Sequence, residues 1–158
     1  MKQTSELNFA IYIDADACPV KTETINIGIR YKKKIYLVSN GGIRPYPNPL
    51  VKTVVVSSGP NEADNWIVDS IKKNDIVITS DIPLSDRSVK KGAYVISHNG
   101  EAINRSNIGL KVASRNLMSG IRSANPFYPG SGKAFGKMDR IKYMNTLEKI
   151  IQTIKKSL

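Results

Sequence analysis

The chain has 158 residues, 41% apolar and 23% charged, with a formal net charge of +11 at pH 7. One cysteine, Cys18, and one histidine, His98, exclude an intrachain disulfide and a Cys/His zinc cluster, so any bound metal must be held mainly by oxygen. The apolar runs are strand-sized and the first ten residues lack a signal-peptide pattern, so the expectation is one domain over 1–158, cytoplasmic and not in a membrane.

In chain order, "FAIYID" (9–14) reads as a buried strand, dense in apolar and β-branched residues. Pro19 suits the first turn of a helix running to about Lys33. "IYLVS" (35–39) is a second strand, 40–50 a Pro/Gly-punctuated loop, and "VKTVVVS" (51–57) a third strand. "NEADNWIVDSIKK" (61–73) is an amphipathic helix with Ala63, Trp66, Ile67 and Ile71 on one face. "DIVITS" (75–80) is a fourth strand, "LSDRSVKK" (84–91) a short helix and "AYVIS" (93–97) a fifth strand. Residues 104–120 read as a helix packing through Ile108, Val112, Leu117 and Met118. A mobile loop is expected over 121–136. A basic helix follows from about Lys137, with Ile141, Met144, Leu147, Ile151 and Ile154 as its docking stripe.

Strands that are apolar throughout and alternate with helices imply an α/β fold: a mostly parallel central sheet with helices on both faces and a basic helical C-terminal region. Ligands of such sheets bind beyond the carboxyl ends of the strands. Three stretches put acids there: Asp14 and Asp16 after the first strand, Glu62 and Asp64 opening the helix after the third, and Asp81 after the fourth, with Asp86 nearby. If the first and fourth strands are neighbours, Asp14 and Asp81 converge. Clustered carboxylates repel unless protonated or bridged by a cation, which suits Mg2+ or Mn2+. Two such ions roughly 3.5–4 Å apart serve phosphodiester hydrolysis. The competing reading is capping: Asp16 for the helix near Pro19 and Asp81 for the helix after Pro83. Asp75 opens a strand at the opposite end and reads as a turn residue.

Charge is uneven. Residues 1–101 carry 13 Lys/Arg against 11 Asp/Glu; residues 102–158 carry 11 against 2, a net +9. That asymmetry suits a polyanionic partner, although a merely solvated basic helix gives the same count. Arg44, Arg115, Lys133, Lys137 and Arg140 are the phosphate-contact candidates, with Ser131 and Arg122 beside them. "GSGK" (130–133) lacks the spacing of a phosphate loop. Cys18 at a helix start could have a lowered pKa and react, but without a histidine nearby in sequence the preferred reading is buried packing at the helix start. His98 before Asn99-Gly100 reads as an exposed turn residue. A haloacid-dehalogenase-like phosphatase is a minor alternative for "DADACPV", without the later residues that chemistry needs.

"YIDADACPVK" (12–21), "GPNEADNWIVD" (59–69) and "ITSDIPLSDRSVKKGAYVISHNGE" (78–101) together resemble the YaiI/YqxD family, small bacterial proteins of unassigned biochemical function. "RNLM" (115–118) and "FGKMDR" (135–140) extend the resemblance. The family is grouped with PIN-like and NYN-like domains, often metal-dependent ribonucleases. The resemblance therefore implies a PIN-like fold and Asp14, Asp64 and Asp81 as catalytic, metal-holding acids. Asp16 belongs to the family's opening motif, as an outer-shell orienter or extra ligand, and Glu62, Asn65 and Asp86 would support. The chain has Asn65 and Asn116 where aspartate is usual. The expectation is a divalent-metal-dependent nuclease acting on RNA or single-stranded nucleic acid. The alternatives are a non-catalytic nucleic-acid-binding domain and a protein-interaction domain, with a homodimer formed through the C-terminal apolar stripe.

Overall fold

A computed structural model describes residues 8–124 and 134–157. The elements are β1 (Ile11–Asp14), α1 (Lys21–Arg30), β2 (Ile35–Ser39), β3 (Val51–Val55), α2 (Glu62–Ser70), β4 (Ile76–Ile78), α3 (Ile82–Lys90), β5 (Tyr94–Ile96), β6 (Ala102–Ile103), α4 (Ile108–Ala124) and α5 (Lys137–Lys156). The six strands form one sheet in the order β3-β2-β1-β4-β5-β6. All neighbours are parallel except β5 and β6, which pair antiparallel.

The central strands are almost wholly apolar because both faces are covered, whereas edge strand β3 carries Lys52 and Thr53 and is only partly buried. Ile11 and Ile13 of β1 face one way, with Ile35, Leu37 and Ile76, onto Ile25 and Ile27 of α1 and Leu147 and Ile151 of α5. Tyr12 faces the other way, with Val38, Val77 and Val95, onto Ala63 and Ile67 of α2, Leu84 and Val89 of α3 and half-buried Ile108 of α4. One alternating strand thus supplies two cores. Trp66 sits half-buried at the rim of the second core, tilted against Tyr12 and Tyr36.

Three expectations about helices need correction. The first starts at Lys21, not Pro19, because residues 15–20 form a turn in which Ala17 takes a left-handed φ of 59°. On α4, Leu117 is 65% exposed, so it does not pack, and the helix runs on to Ala124 through residues expected in the loop. Residues 125–133 of that expected loop lie outside the described residues, and 134–136 have no regular structure, as a loop requires. On α5 the buried face is Tyr143, Leu147, Ile150, Ile151 and Ile154, whereas Ile141 and Met144 are 45% and 37% exposed.

Two contacts set that rotation of α5. The buried Tyr143 hydroxyl lies 2.5 Å from Thr24 Oγ1, which donates to Val20 O at 2.8 Å, so the tyrosine is the donor. Gly100, in the turn between β5 and β6, has a φ of +89° and lies so close to α5 that a Cβ would meet the Lys142 and Tyr143 backbone at 2.7 Å. Thr146 Oγ1 donates to Gly100 O at 2.7 Å across the same contact.

Gly100→Ala is therefore expected to destabilise the protein by on the order of 2–3 kcal/mol in urea unfolding. Gly92→Ala also needs a left-handed conformation (φ +88°), but its closest neighbour is the flexible Lys73 side chain at 3.2 Å, so about 1–2 kcal/mol is expected there.

Candidate functional site at the carboxyl ends of the strands

The strand order reverses at β1: the chain moves outward through β2 and β3, then returns to place β4 on the other side of β1. Such a switch point opens a crevice at the carboxyl ends of its two strands. Ile13 pairs with Ile78, so the next residues, Asp14 and Thr79, face each other across it. Thr79 Oγ1 donates to Asp14 Oδ2 at 2.9 Å and accepts from the Asp81 amide at 3.0 Å. One buried hydroxyl thus ties the two aspartate-bearing loops together.

Asp14, Asp64, Asp81 and Asp16 lie within electrostatic reach of one another, as the adjacency of β1 and β4 requires. Burial raises the Asp14 carboxyl from its ordinary 3.8 to about 6; the Thr79 bond opposes the rise and the three other aspartates add to it. Asp64, in the first turn of α2, is also raised, by burial and then by Asp81, with the Arg87 guanidinium pulling the other way.

The remaining candidates have mostly local employment. Asp81 caps α3, its Oδ1 accepting from the Leu84 amide at 2.8 Å. Asp16 does not cap α1. It accepts from Ser39 Oγ at 2.8 Å and the Asn40 amide at 3.1 Å, fastening the loop after β1 to the end of β2. Glu62 folds back beside Gly59. Asn65 Oδ1 accepts from Arg87 Nη1 at 2.9 Å, and Asp86 pairs with Lys90 at 3.1 Å along α3. Asp75, at the opposite end, accepts from the Ala10 and Lys72 amides in its expected turn role.

Among the described residues no three His, Cys, Asp or Glu side chains converge closely enough to hold one metal ion. A centre needing three protein carboxylates on one ion therefore does not fit this geometry. Mg2+ that keeps several waters requires only one or two.

Of the phosphate-contact candidates, Arg44, Arg115 and Lys137 are exposed. Arg140 is committed: it donates to Glu23 Oε2 at 2.6 Å and Pro19 O at 2.9 Å, and it stacks over Phe135. Lys133 and Ser131 lie outside the described residues. Cys18 is buried, as the packing reading expects, and desolvation pushes its thiol up to about 11, opposite to the lowered pKa that a reactive cysteine would need. His98 is half-buried, not an exposed turn residue, because its ring turns inward; burial lowers its pKa.

Sequence reasoning missed Thr79 and Arg87. A hydroxyl two residues before Asp81 was a usable signal for the first. The second acts across helices, and no spacing announces it.

A sequence model described as an uncharacterized YaiI/YqxD family matches residues 12–153. The chain belongs to the YaiI/YqxD family. Its relatives include a UPF0178 protein of Roseobacter denitrificans, 51% identical over 143 residues (90% of this chain, 95% of the relative). A UPF0178 protein of Parvibaculum lavamentivorans is 44% identical over 146 residues (92% and 95%), and one of Agrobacterium fabrum 42% over 149 (94% and 97%). No solved structure matches. No helix among the described residues of this YaiI/YqxD chain is long and apolar enough to cross a membrane. The acids discussed above, Asp14, Asp64 and Asp81, all fall within the matched region.

Asp14 binds its proton more tightly folded than unfolded, so wild-type stability falls as pH rises from about 4 to about 6. Asp14→Asn keeps an oxygen for Thr79. It is expected to stabilise the protein at pH 7 by roughly 1–2 kcal/mol, after allowing for solvent screening, and to have little effect below pH 4. Thermal unfolding across that range measures both.

Proposed function

We propose that this YaiI/YqxD chain binds single-stranded nucleic acid, RNA included, through its phosphates at the carboxyl ends of the strands. The observation that carries the reading is the exposure of cations on the loop after β2 and on the helices that follow the sheet. Exposed Arg44 lies in the loop after β2, in a groove shared with Lys21 at the start of α1. Lys137 opens α5, Lys142 follows within two turns, and Arg115 stands on α4. Side chains of this kind contact phosphate without reading bases, giving salt-sensitive and weakly sequence-specific association.

A second reading, divalent-metal-dependent hydrolysis of the bound strand, is favoured by the raised Asp14 carboxyl. A desolvated acid among three others is a poor structural investment and a suitable cation receptor. Asp14 and Asp81 would hold Mg2+ or Mn2+, no more than two carboxylates to an ion, with Asp64 within electrostatic reach, and the ion would supply charge neutralisation and an activated water when bound. Asp16 would orient from the β2 side. The sheet topology is compatible with the PIN-like grouping, and fold alone does not decide activity.

Binding of labelled single-stranded RNA and DNA over a salt series tests the first reading. Lys137→Ala and Arg115→Ala should each weaken binding uniformly across sequences and lower the salt slope by about 0.7. Absence of salt-sensitive binding would remove it. For the second reading, product formation with Mg2+ or Mn2+ should be lost in both Asp14→Asn and Asp81→Asn; equal cleavage by all three proteins would place the chemistry elsewhere.

A further inference from the structure

Helices α1, α2, α3 and α5 each bury residues of their own in one of the two cores. Helix α4 is different. None of its residues 108–120 is buried, and only Ile108, Lys111, Val112 and Met118 are half-buried. It therefore rests on the protein along one narrow seam. A helix in water owes most of its stability to the packing of an apolar face, and this one has packed little of its apolar surface.

The side away from the seam is apolar too. Leu110 is 74% exposed and Leu117 65%, with exposed Ala113 and Ser114 between them. The helical period puts these four on one face, opposite the half-buried residues. Gly120 borders the same face, and a Cβ there would meet nothing within 4 Å. Glycine inside a helix costs about 1 kcal/mol relative to alanine, and no contact among the described residues calls for it.

Charge decides what can cover this face. The face itself carries none, in a chain of net charge +11. Lys111 and Arg115, one turn apart, fall on the flank nearer Glu101, with which Lys111 pairs. A polyanion or an acidic helix would find no cation on the face, whereas a second copy of the chain would meet no like charge. The order of residues is also self-complementary. In an antiparallel pair crossing at Ala113 and Ser114, Leu110 of each copy lies against Leu117 of the other, and the small residues let the backbones approach. The exposed stripe of α5 lacks this property. Met138 and Ile141 share their groove with Lys142 and Lys149, so two copies meeting there would oppose cations.

We propose that two copies of the chain pair antiparallel through the outward face of α4, about a two-fold axis at Ala113 and Ser114. The pairing does not depend on the nucleic-acid reading. It leaves Arg115 to the side of the contact and puts two switch-point crevices in one particle.

Sedimentation equilibrium of the nuclease-treated full chain, over a dilution series at several salt concentrations, reads the assembly. The expected result is a monomer–dimer equilibrium that strengthens as salt rises, because salt screens the repulsion between two cationic copies. Leu110→Gln and Leu117→Gln, both at exposed positions, should each weaken the dimer by roughly tenfold or more. Neither should change thermal unfolding at dilutions where the wild type is monomeric. Met138→Gln should leave the dimer as it was. Cys18 is the one cysteine and is buried, so Ser114→Cys adds a single accessible thiol. That variant should form a disulfide-linked dimer on oxidation, and Ser119→Cys, on another side of the same helix, should not.

A monomer at every concentration and salt would overturn the proposal, and so would a dimer that both glutamine variants leave intact. Loss of the dimer in Met138→Gln alone would overturn α4 in favour of α5. Association that vanishes on nuclease treatment or as salt rises would make nucleic acid the bridge and remove the helix pair.

Discussion

Parallel pairing of β1 with β4 is the constraint on which the rest of the site depends. It sets Ile13 beside Ile78 and therefore Asp14 beside Thr79, one residue beyond the dry interior of the sheet. Thr79 then fixes the Asp81 amide, and Asp81 fixes the first turn of α3. A carboxylate at the mouth of a fully apolar strand opposes folding, and a single hydroxyl only partly offsets that. The fold tolerates the cost because β1 itself contributes to both cores. Residues that weaken the structure while standing in a ligand crevice are where function is retained at the expense of stability.

The C-terminal helix is the second half of the arrangement. Its sequence is basic, yet its position is fixed by neutral contacts: Tyr143 against Thr24, the Gly100 turn against the helix backbone, and Thr146 to the same glycine. Arg140 adds an ion pair to Glu23 on α1. These fastenings, one ion pair among mostly neutral contacts, hold the start of α5 near the carboxyl ends of β4 and β5, where Lys142 stands.

Much of the fold was legible because buried parallel strands declare themselves as continuous apolar runs, as β1, β2, β4 and β5 do, while β3 shows through its valines despite Lys52 and Thr53. β6 was not legible: two residues, Ala102 and Ile103, pair antiparallel only because the Gly100 turn folds them back onto β5. The α5 face was misjudged because its sequence carries two overlapping apolar stripes. A hydroxyl partner for Tyr143 and the close approach of Gly100 choose between them, and both lie far away in sequence. The aspartates of the site were legible from their places after strands, and the convergence of Asp14 with Asp81 followed from one neighbour relation. Their second employments were harder to foresee. Capping by Asp81 was an open alternative, whereas Asp16 binding Ser39 and Asn40 depends on where β2 ends relative to β1. The inward turn of His98 buries its Nε2, and no local pattern encodes that.

The two margins of the sheet are unequal. At one, β6 is only two residues long, too short to template another chain. At the other, β3 runs for five residues, with Val55 at its end 63% exposed. Lys52 stands exposed on that strand, the kind of charge that discourages a second strand from adding to an open ladder. Self-association by strand addition would therefore begin at β3, with Lys52 as its gatekeeper. That margin belongs to the strand farthest out on the β2 side, so such pairing would leave the crevice between β1 and β4 open.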